Sequence, residues 1–282
     1  MTREEILSHV DHTLLKPEAT WPQIQVICDE AVENHTASIC INTCYVRQAV
    51  EYLAGRIPVC CVVGFPLGAM DTESKAFEAK KAIENGASEV DMVINIGRLK
   101  NKEYDAVRED IRAVKQAVGD KVLKVIIETC LLTDEEKIKM CEIVSASGAD
   151  YIKTSTGFST AGATFHDVEL FAQHVTNGVK IKAAGGISSI EDMRGKNICV
   201  GAVGSGYEVA ARQILDIYGM SYDDINETFA DQSTAKNGVQ DGTFDGMFMC
   251  SGYPNGNVTE LSLGGNIELV SIDDEHLAAL IE

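Results

Sequence analysis

Seven short apolar runs recur along the first two thirds of the chain, separated by amphipathic stretches of helical length. That rhythm constrains the fold more than any other feature. The runs are VDHTLL (10–15), ASICINT (37–43), PVCCVVGF (58–65), EVDMVINI (89–96), KVLKVIIET (121–129), DYIKTST (150–156) and KIKAAGG (180–186). Near-continuous apolar strands alternating with helices imply a parallel sheet covered by helices. Seven such units without a reversal of pattern predict an α/β fold of the (β/α) TIM-barrel type over an open sheet. Between the runs, DTESKAFEAKKAIENG (71–86) and TDEEKIKMCEIVSASG (133–148) read as helices. The second opens on an N-cap threonine, carries acids in its first turn and ends before Gly148.

With 282 residues, the chain can form one barrel of about 250 residues or two ordinary domains of about 100–200 each. A net charge of −19 argues against a general nucleic-acid binder, which needs a basic footprint to replace phosphate counterions. No apolar run approaches the roughly 18 residues of a membrane span, and the charged start MTREEILSHV does not read as a secretory signal. Nine cysteines form neither a CxxC pair nor a zinc-ligand pattern, so reduced, buried thiols in a cytoplasmic protein are expected, with no metal.

Polar residues interrupt the strand runs at comparable places: Asp11, Cys40, Asp91, Glu128, Lys153 and Lys182. In barrels of this kind the chemistry is built at the C-terminal ends of strands. Lys153, followed by Thr154-Ser155-Thr156-Gly157, raises the sharpest alternative. Burying its ammonium is costly, so it either points to solvent or is tuned for chemistry. Taken alone, Asp91 could be a carboxylate bonded to backbone at a strand end, and Cys40 an ordinary buried thiol.

The motifs VDHTLLKP, ASICINTCYV, VVGFPLGA, GASEVDMVINIG, LKVIIETCLL, GADYIKTSTGF and KIKAAGGI resemble, in order, the strand motifs of deoxyribose-phosphate aldolase. The resemblance covers residues 5 to about 193. It implies a class I aldolase on a TIM barrel, without metal or cofactor, that reversibly cleaves 2-deoxyribose 5-phosphate to acetaldehyde and glyceraldehyde 3-phosphate. By the same resemblance Lys153 is the Schiff-base lysine, Lys182 a second ammonium that lowers its pKa, and Asp91 a proton relay acting through water. Asp11 is then a carboxylate that orients a lysine, Cys40 a thiol lining the pocket, and Glu128 an ion-pair partner at the barrel mouth. Ser155, Thr156, Gly157, Gly185 and Gly186 are candidates for holding phosphate, although Gly-rich turns alone are a weak signal.

After AAGGISSIEDMRG that pattern stops. From about Gly195 to Glu282 the chain resembles one lobe of the TAXI-type solute-binding receptors of TRAP transporters. VGAVGSGYEVAARQIL, GMSYDDI, DGTFDGMFMCSGYPNGNVTEL and IELVSIDDEHLAALIE carry that second resemblance. Composition shifts at the same place: residues 1–194 hold 21 Lys/Arg and 29 Asp/Glu, residues 195–282 only 3 and 14. The expected domains are therefore an aldolase-like barrel (1–194) fused to a receptor-like α/β segment (195–282). The βα unit at 197–219 is expected to supply the eighth barrel unit, with Gly204, Ser205 and Gly206 presenting N–H groups to an anion. Strands near 225–230, 244–251 and 267–272 would form an appended small layer. The competing reading keeps NICVGA (197–202) in an open sheet of its own.

Three functions stay open at this point: an aldolase weakened by loss of the family's last phosphate loop, a chimeric scaffold without activity, and a weak binder of small carboxylates in the C-terminal segment. The expected partners are a small sugar phosphate or aldehyde, with no nucleic acid and no membrane. Oligomeric state is not specified.

Overall fold

The computed structural model describes residues 2–185, 190–252, 255–263, 267, 269, 270, 272 and 274–281. The chain divides into two compact units, Met1–Phe158 with His166–Ala184, and Ser159–Phe165 with Gly185–Glu282.

In the first unit, strands and helices alternate as the apolar rhythm dictates. The order is α1 (Arg3–Leu7), β1 (Asp11–Leu14), α2 (Trp21–Asn34), β2 (Ser38–Ile41), α3 (Val46–Leu53), β3 (Val59–Val63), α4 (Thr72–Glu84), β4 (Glu89–Val93), α5 (Ile96–Lys100), α6 (Tyr104–Val118), β5 (Val122–Ile126), α7 (Asp134–Ser145), β6 (Tyr151–Lys153), α8 (Phe165–His174) and β7 (Lys180–Lys182). Local chemistry sets the helix starts. Asp71 caps α4 by accepting from the Ser74 N–H, and Thr133 with Glu136 forms a capping box on α7.

The seven strands form one parallel sheet in sequential order, β1 to β7, curled into a half-barrel. Successive strand residues point to opposite faces, so each strand divides its side chains between two environments. Ile39 and Ile41, Val59, Cys61 and Val63, Val90 and Met92, Leu123 and Val125, and Ile152 face the helices in one large core. Leu15, Cys40, Cys60 and Val62 form a separate small cluster on the inner face.

The second unit contains β8 (Asn197–Cys199), α9 (Gly206–Ile217), β9 (Asn226–Thr228), α10 (Gln232–Gln240), β10 (Gly246–Met247), α11 (Gly256–Leu263) and α12 (Asp274–Ile281). Among the described residues its three strands form a parallel sheet in the order β10-β8-β9. The core beneath them is its own, built from residues such as Ile190, Met193, Ile198, Val200, Ala211 and Leu215.

This arrangement corrects the expected barrel closure. β8 is the central strand of the second sheet, with Ile198 paired to Glu227 on one side and to Gly246 on the other. A strand bonded on both edges has no backbone groups left for a third neighbour. The first sheet therefore keeps seven strands, and among the described residues β1 and β7 each have one hydrogen-bonded neighbour. The units also divide nearer Ala184 than Arg194, because Ile190 and Met193 already pack in the second core and Gly195 N–H bonds Asp224. Of the expected strand at 267–272, positions 268 and 271 lie outside the described residues, and the remainder carries no strand. No helix among the described residues is long and apolar enough to cross a membrane.

Candidate active site

The same alternation that sends Val90, Met92, Leu123, Val125 and Ile152 to the helices sends their neighbours Asp91, Lys124 and Lys153 to the inner face. There Asp91 is fully buried and collects three donors. Lys153 Nζ lies 2.6 Å from its Oδ2, Lys124 Nζ 3.0 Å from its Oδ1, and the Cys60 thiol donates to Oδ1 at 3.2 Å. Lys124 also pairs with Glu89 at 2.5 Å and Asp11 at 3.4 Å, and its ammonium sits 3.3 Å from the Cys60 sulfur.

Asp11, at the start of β1, accepts from the Ser38 hydroxyl at 2.9 Å and pairs with Lys182 at 2.9 Å. Lys182 also donates to the His9 carbonyl at 2.9 Å. Its side chain thus reaches from β7, one edge of the sheet, to β1, the other edge. The curl is tight enough for a single lysine to span the open seam.

Charge balance decides the protonation of this cluster. Burial alone would favour neutral Asp91, but the Lys153 and Lys124 ammonium groups hold its carboxyl far below the usual range. Burial likewise disfavours the Lys124 ammonium, and the surrounding anionic groups outweigh it. For Lys153, burial lowers and Asp91 raises, and Asp91 wins, so its pKa lies above that of an ordinary lysine. This is opposite in direction to the expected tuning. The ammonium sharing Asp91 with Lys153 is that of Lys124, while the Lys182 ammonium is committed to Asp11 and His9. Asp11 is also lowered: burial raises it, but Lys124 and Lys182 together prevail.

The other expected site residues are distributed unevenly. Cys40 is fully buried in the inner cluster beside Cys60. Glu128, buried and in the left-handed region at φ 56°, follows β5 and binds the loop after Lys153. Its Oε1 accepts from the Thr156 N–H at 3.2 Å, and its Oε2 accepts from the Thr156 hydroxyl. A carboxylate thus takes both donors that Thr156 was expected to offer a phosphate. The Ser155 hydroxyl is buried with no hydrogen-bond partner among the described residues. Gly157 sits at φ 81°, where a side chain would be strained. Gly185 belongs to the second unit and Gly186 lies outside the described residues. Gly204, Ser205 and Gly206 also belong to the second unit. There Ser205 caps α9 through the Glu208 N–H, and the Gly204 N–H donates to Glu208 Oε2 at 3.4 Å.

Sequence reasoning missed Lys124, Cys60 and Glu89. The signal was present in KVLKVIIET, where a lysine sits between apolar residues in a strand run. Its Cα partner across the β4–β5 ladder is Asp91.

Comparison with known proteins agrees with the fold. The chain is 60% identical to deoxyribose-phosphate aldolase of Clostridium botulinum (strain Alaska E43 / Type E3) over 193 residues, covering 68% of this chain and 87% of that protein. Among solved structures, a candidate deoxyribose-phosphate aldolase from Coccidioides immitis superposes with a TM-score of 0.65 at 45% identity, covering 68% of this chain and 78% of that one. The tetrameric deoxyribose phosphate aldolase of Aeropyrum pernix gives a TM-score of 0.59 at 31% identity, over 68% and 82% of the two chains. The model of the NMT1-like family matches residues 128–282, a span that begins after β5, takes in β6 and β7 of the first unit and includes the whole of the second unit. With a half-barrel of the aldolase type and 60% identity across most of a curated relative, the chain belongs to the deoxyribose-phosphate aldolase family.

Proposed function

We propose that the chain is a class I aldolase whose Lys153 forms a Schiff base with a small aldehyde or with 2-deoxyribose 5-phosphate. The observation that carries this reading is the buried 2.6 Å pair of Lys153 with Asp91 on the inner face of an aldolase-family sheet.

At rest Lys153 is an ammonium, so it must shed a proton before its amine can attack a carbonyl carbon. The proton passes to Asp91 or through it to water. Addition gives a carbinolamine, and a proton returned by way of Asp91 lets its hydroxyl leave as water. The resulting iminium keeps a positive charge where the ammonium was, so the Asp91 carboxylate holds both states. In the cleavage direction a base takes the substrate's hydroxyl proton, the carbon–carbon bond breaks, and its electron pair flows into the iminium. Protonation of the enamine and hydrolysis free acetaldehyde and restore the lysine. Lys124 and the Cys60 thiol hold Asp91 in place and favour its return to the anion after each proton transfer. Lys182 braces Asp11 and the seam between β7 and β1.

Recognition of the phosphate is the weak part of this centre. Glu128 occupies the Thr156 donors, and like charges repel. The test is reductive trapping with acetaldehyde and borohydride followed by peptide mapping, in which added mass on Lys153 supports the reading.

A second reading applies to the C-terminal segment alone. Its separate sheet and core, and the NMT1-like match, favour a receptor-like module fused to the aldolase part, and such a half-receptor would hold a small carboxylate weakly. Calorimetric titration with small dicarboxylates tests it, and no heat beyond dilution would count against it.

A further inference from the structure

Cys40 and Cys60 are paired directly across β2 and β3, and both are fully buried on the inner face. Opposed residues on neighbouring strands lie about 4.8 Å apart, inside the roughly 4.4–6.8 Å Cα separation that a disulfide spans. The two sulfurs and an Asp91 oxygen all lie within 4.8 Å of one another. Both are free thiols, so neither sulfur is already committed to a disulfide.

We propose that Cys40 and Cys60 are a modification site: a peroxide converts them to a reversible disulfide that lowers the reactivity of Lys153. The effect on Lys153 rests on the aldolase reading, whereas the disulfide itself does not. The Cys40 sulfur attacks one peroxide oxygen, the O–O bond breaks, and a sulfenic acid and one water result. The Cys60 sulfur then attacks the Cys40 sulfur, an S–S bond forms, and the S–O bond breaks. The hydroxide leaving Cys40 takes the Cys60 proton and departs as the second water. The two thiols lose two electrons and the peroxide gains them.

Two groups already contact the sulfur that must react second. Asp91 Oδ1 accepts the Cys60 S–H at 3.2 Å, and the Lys124 ammonium lies 3.3 Å from the sulfur. Burial nevertheless pushes the Cys60 thiol well above its ordinary value, so the reaction is slow. Once formed, the disulfide removes the S–H donor from Asp91 and draws the Cys60 sulfur away from it. Asp91 is then held by the two lysines alone, which tightens its grip on the Lys153 proton.

The experiment treats the whole chain with excess hydrogen peroxide, alkylates remaining thiols after denaturation and maps the peptides. The expected result is a Cys40–Cys60 cross-link that dithiothreitol reverses. It should be accompanied by a several-fold loss of borohydride-trapped Lys153, also reversed by dithiothreitol. In Cys60→Ala, trapping measured against the variant's own untreated sample should no longer respond to peroxide. Alkylatable Cys40 and Cys60 alongside oxidised exposed cysteines such as Cys44 would overturn the proposal. So would a cross-link that leaves trapping unchanged, or a peroxide response that persists in Cys60→Ala. If the untreated protein traps nothing at Lys153, the aldolase reading fails, and the peptide map still decides the disulfide.

Discussion

The first unit buries two Lys–Asp pairs with the same 2.6 Å separation, one on each side of its sheet. Lys75 and Asp110 join α4 to α6 beneath the helices, and Lys153 and Asp91 join β6 to β4 on the inner face. What differs is the company each pair keeps. Lys75 is 0% exposed and also donates to the Val93 carbonyl, while Asp110 accepts from Thr72, so each group has a fixed second partner. Asp91 is contested by two ammoniums and a thiol, and the Lys153 side chain is 10% exposed. A buried ion pair is therefore not by itself a reactive site. A shared anion and an opening for substrate turn one into a centre where a proton can move. The Lys75 pair instead anchors the end of β4, two residues beyond Asp91.

The largest break in this comparison is Lys153→Leu. It should abolish trapping, while Asp91 keeps Lys124 as a partner and the fold survives; circular dichroism beside the trapping assay checks both halves. Lys75→Met should do the reverse. Removing one partner of a buried pair costs about 3–5 kcal/mol, so the denaturation midpoint should fall sharply. Trapping at Lys153 should persist in whatever remains folded. Loss of trapping in a well-folded Lys75→Met protein would erase the distinction between the two pairs.

Asp91→Asn sharpens the comparison from the anion's side. Burial and the Lys124 ammonium then act on Lys153 without a carboxylate to oppose them, so its pKa falls. Onset of trapping should move to lower pH, even as turnover declines with the lost proton relay. A trapping profile that stays in place would show that Asp91 does not set the Lys153 proton. Lys182→Leu should have the smallest effect on that profile, because its ammonium is engaged by Asp11 and His9 across the seam. It should instead lower thermal stability, and a downward or upward shift of onset in the trapping profile would return Lys182 to an electrostatic role.

How much of this was legible in the sequence follows from the physics of each element. Strands buried on both faces read as apolar runs, so β2 to β6 were visible; the half-buried edge strands β1 and β7 followed from the same rhythm, and Thr133 with its acidic first turn marked α7. Lys153, Asp91, Asp11 and Cys40 were legible as polar residues in such runs. Lys124 and Cys60 obey the same alternation but stood in runs already assigned to packing. Closure was misread because NICVGA has the composition of any parallel strand. Which sheet it joins depends on where Ile190, Met193 and Leu215 bury their side chains, a long-range choice that no local pattern encodes. The direction of the Lys153 shift was misread for a related reason: the sequence shows which residues are charged, but not which ammonium reaches which carboxylate.

The central claim is that Lys153 is a Schiff-base lysine held protonated by Asp91. It is tested most directly by trapping with acetaldehyde and borohydride across a pH series, with the adduct located by peptide mapping. The account predicts added mass on Lys153, with a yield that climbs as pH rises from neutral toward the alkaline range, because the neutral amine is scarce while Asp91 grips its proton. Labelling confined to surface lysines, or a Lys153 yield already at its plateau below neutral pH, would contradict it.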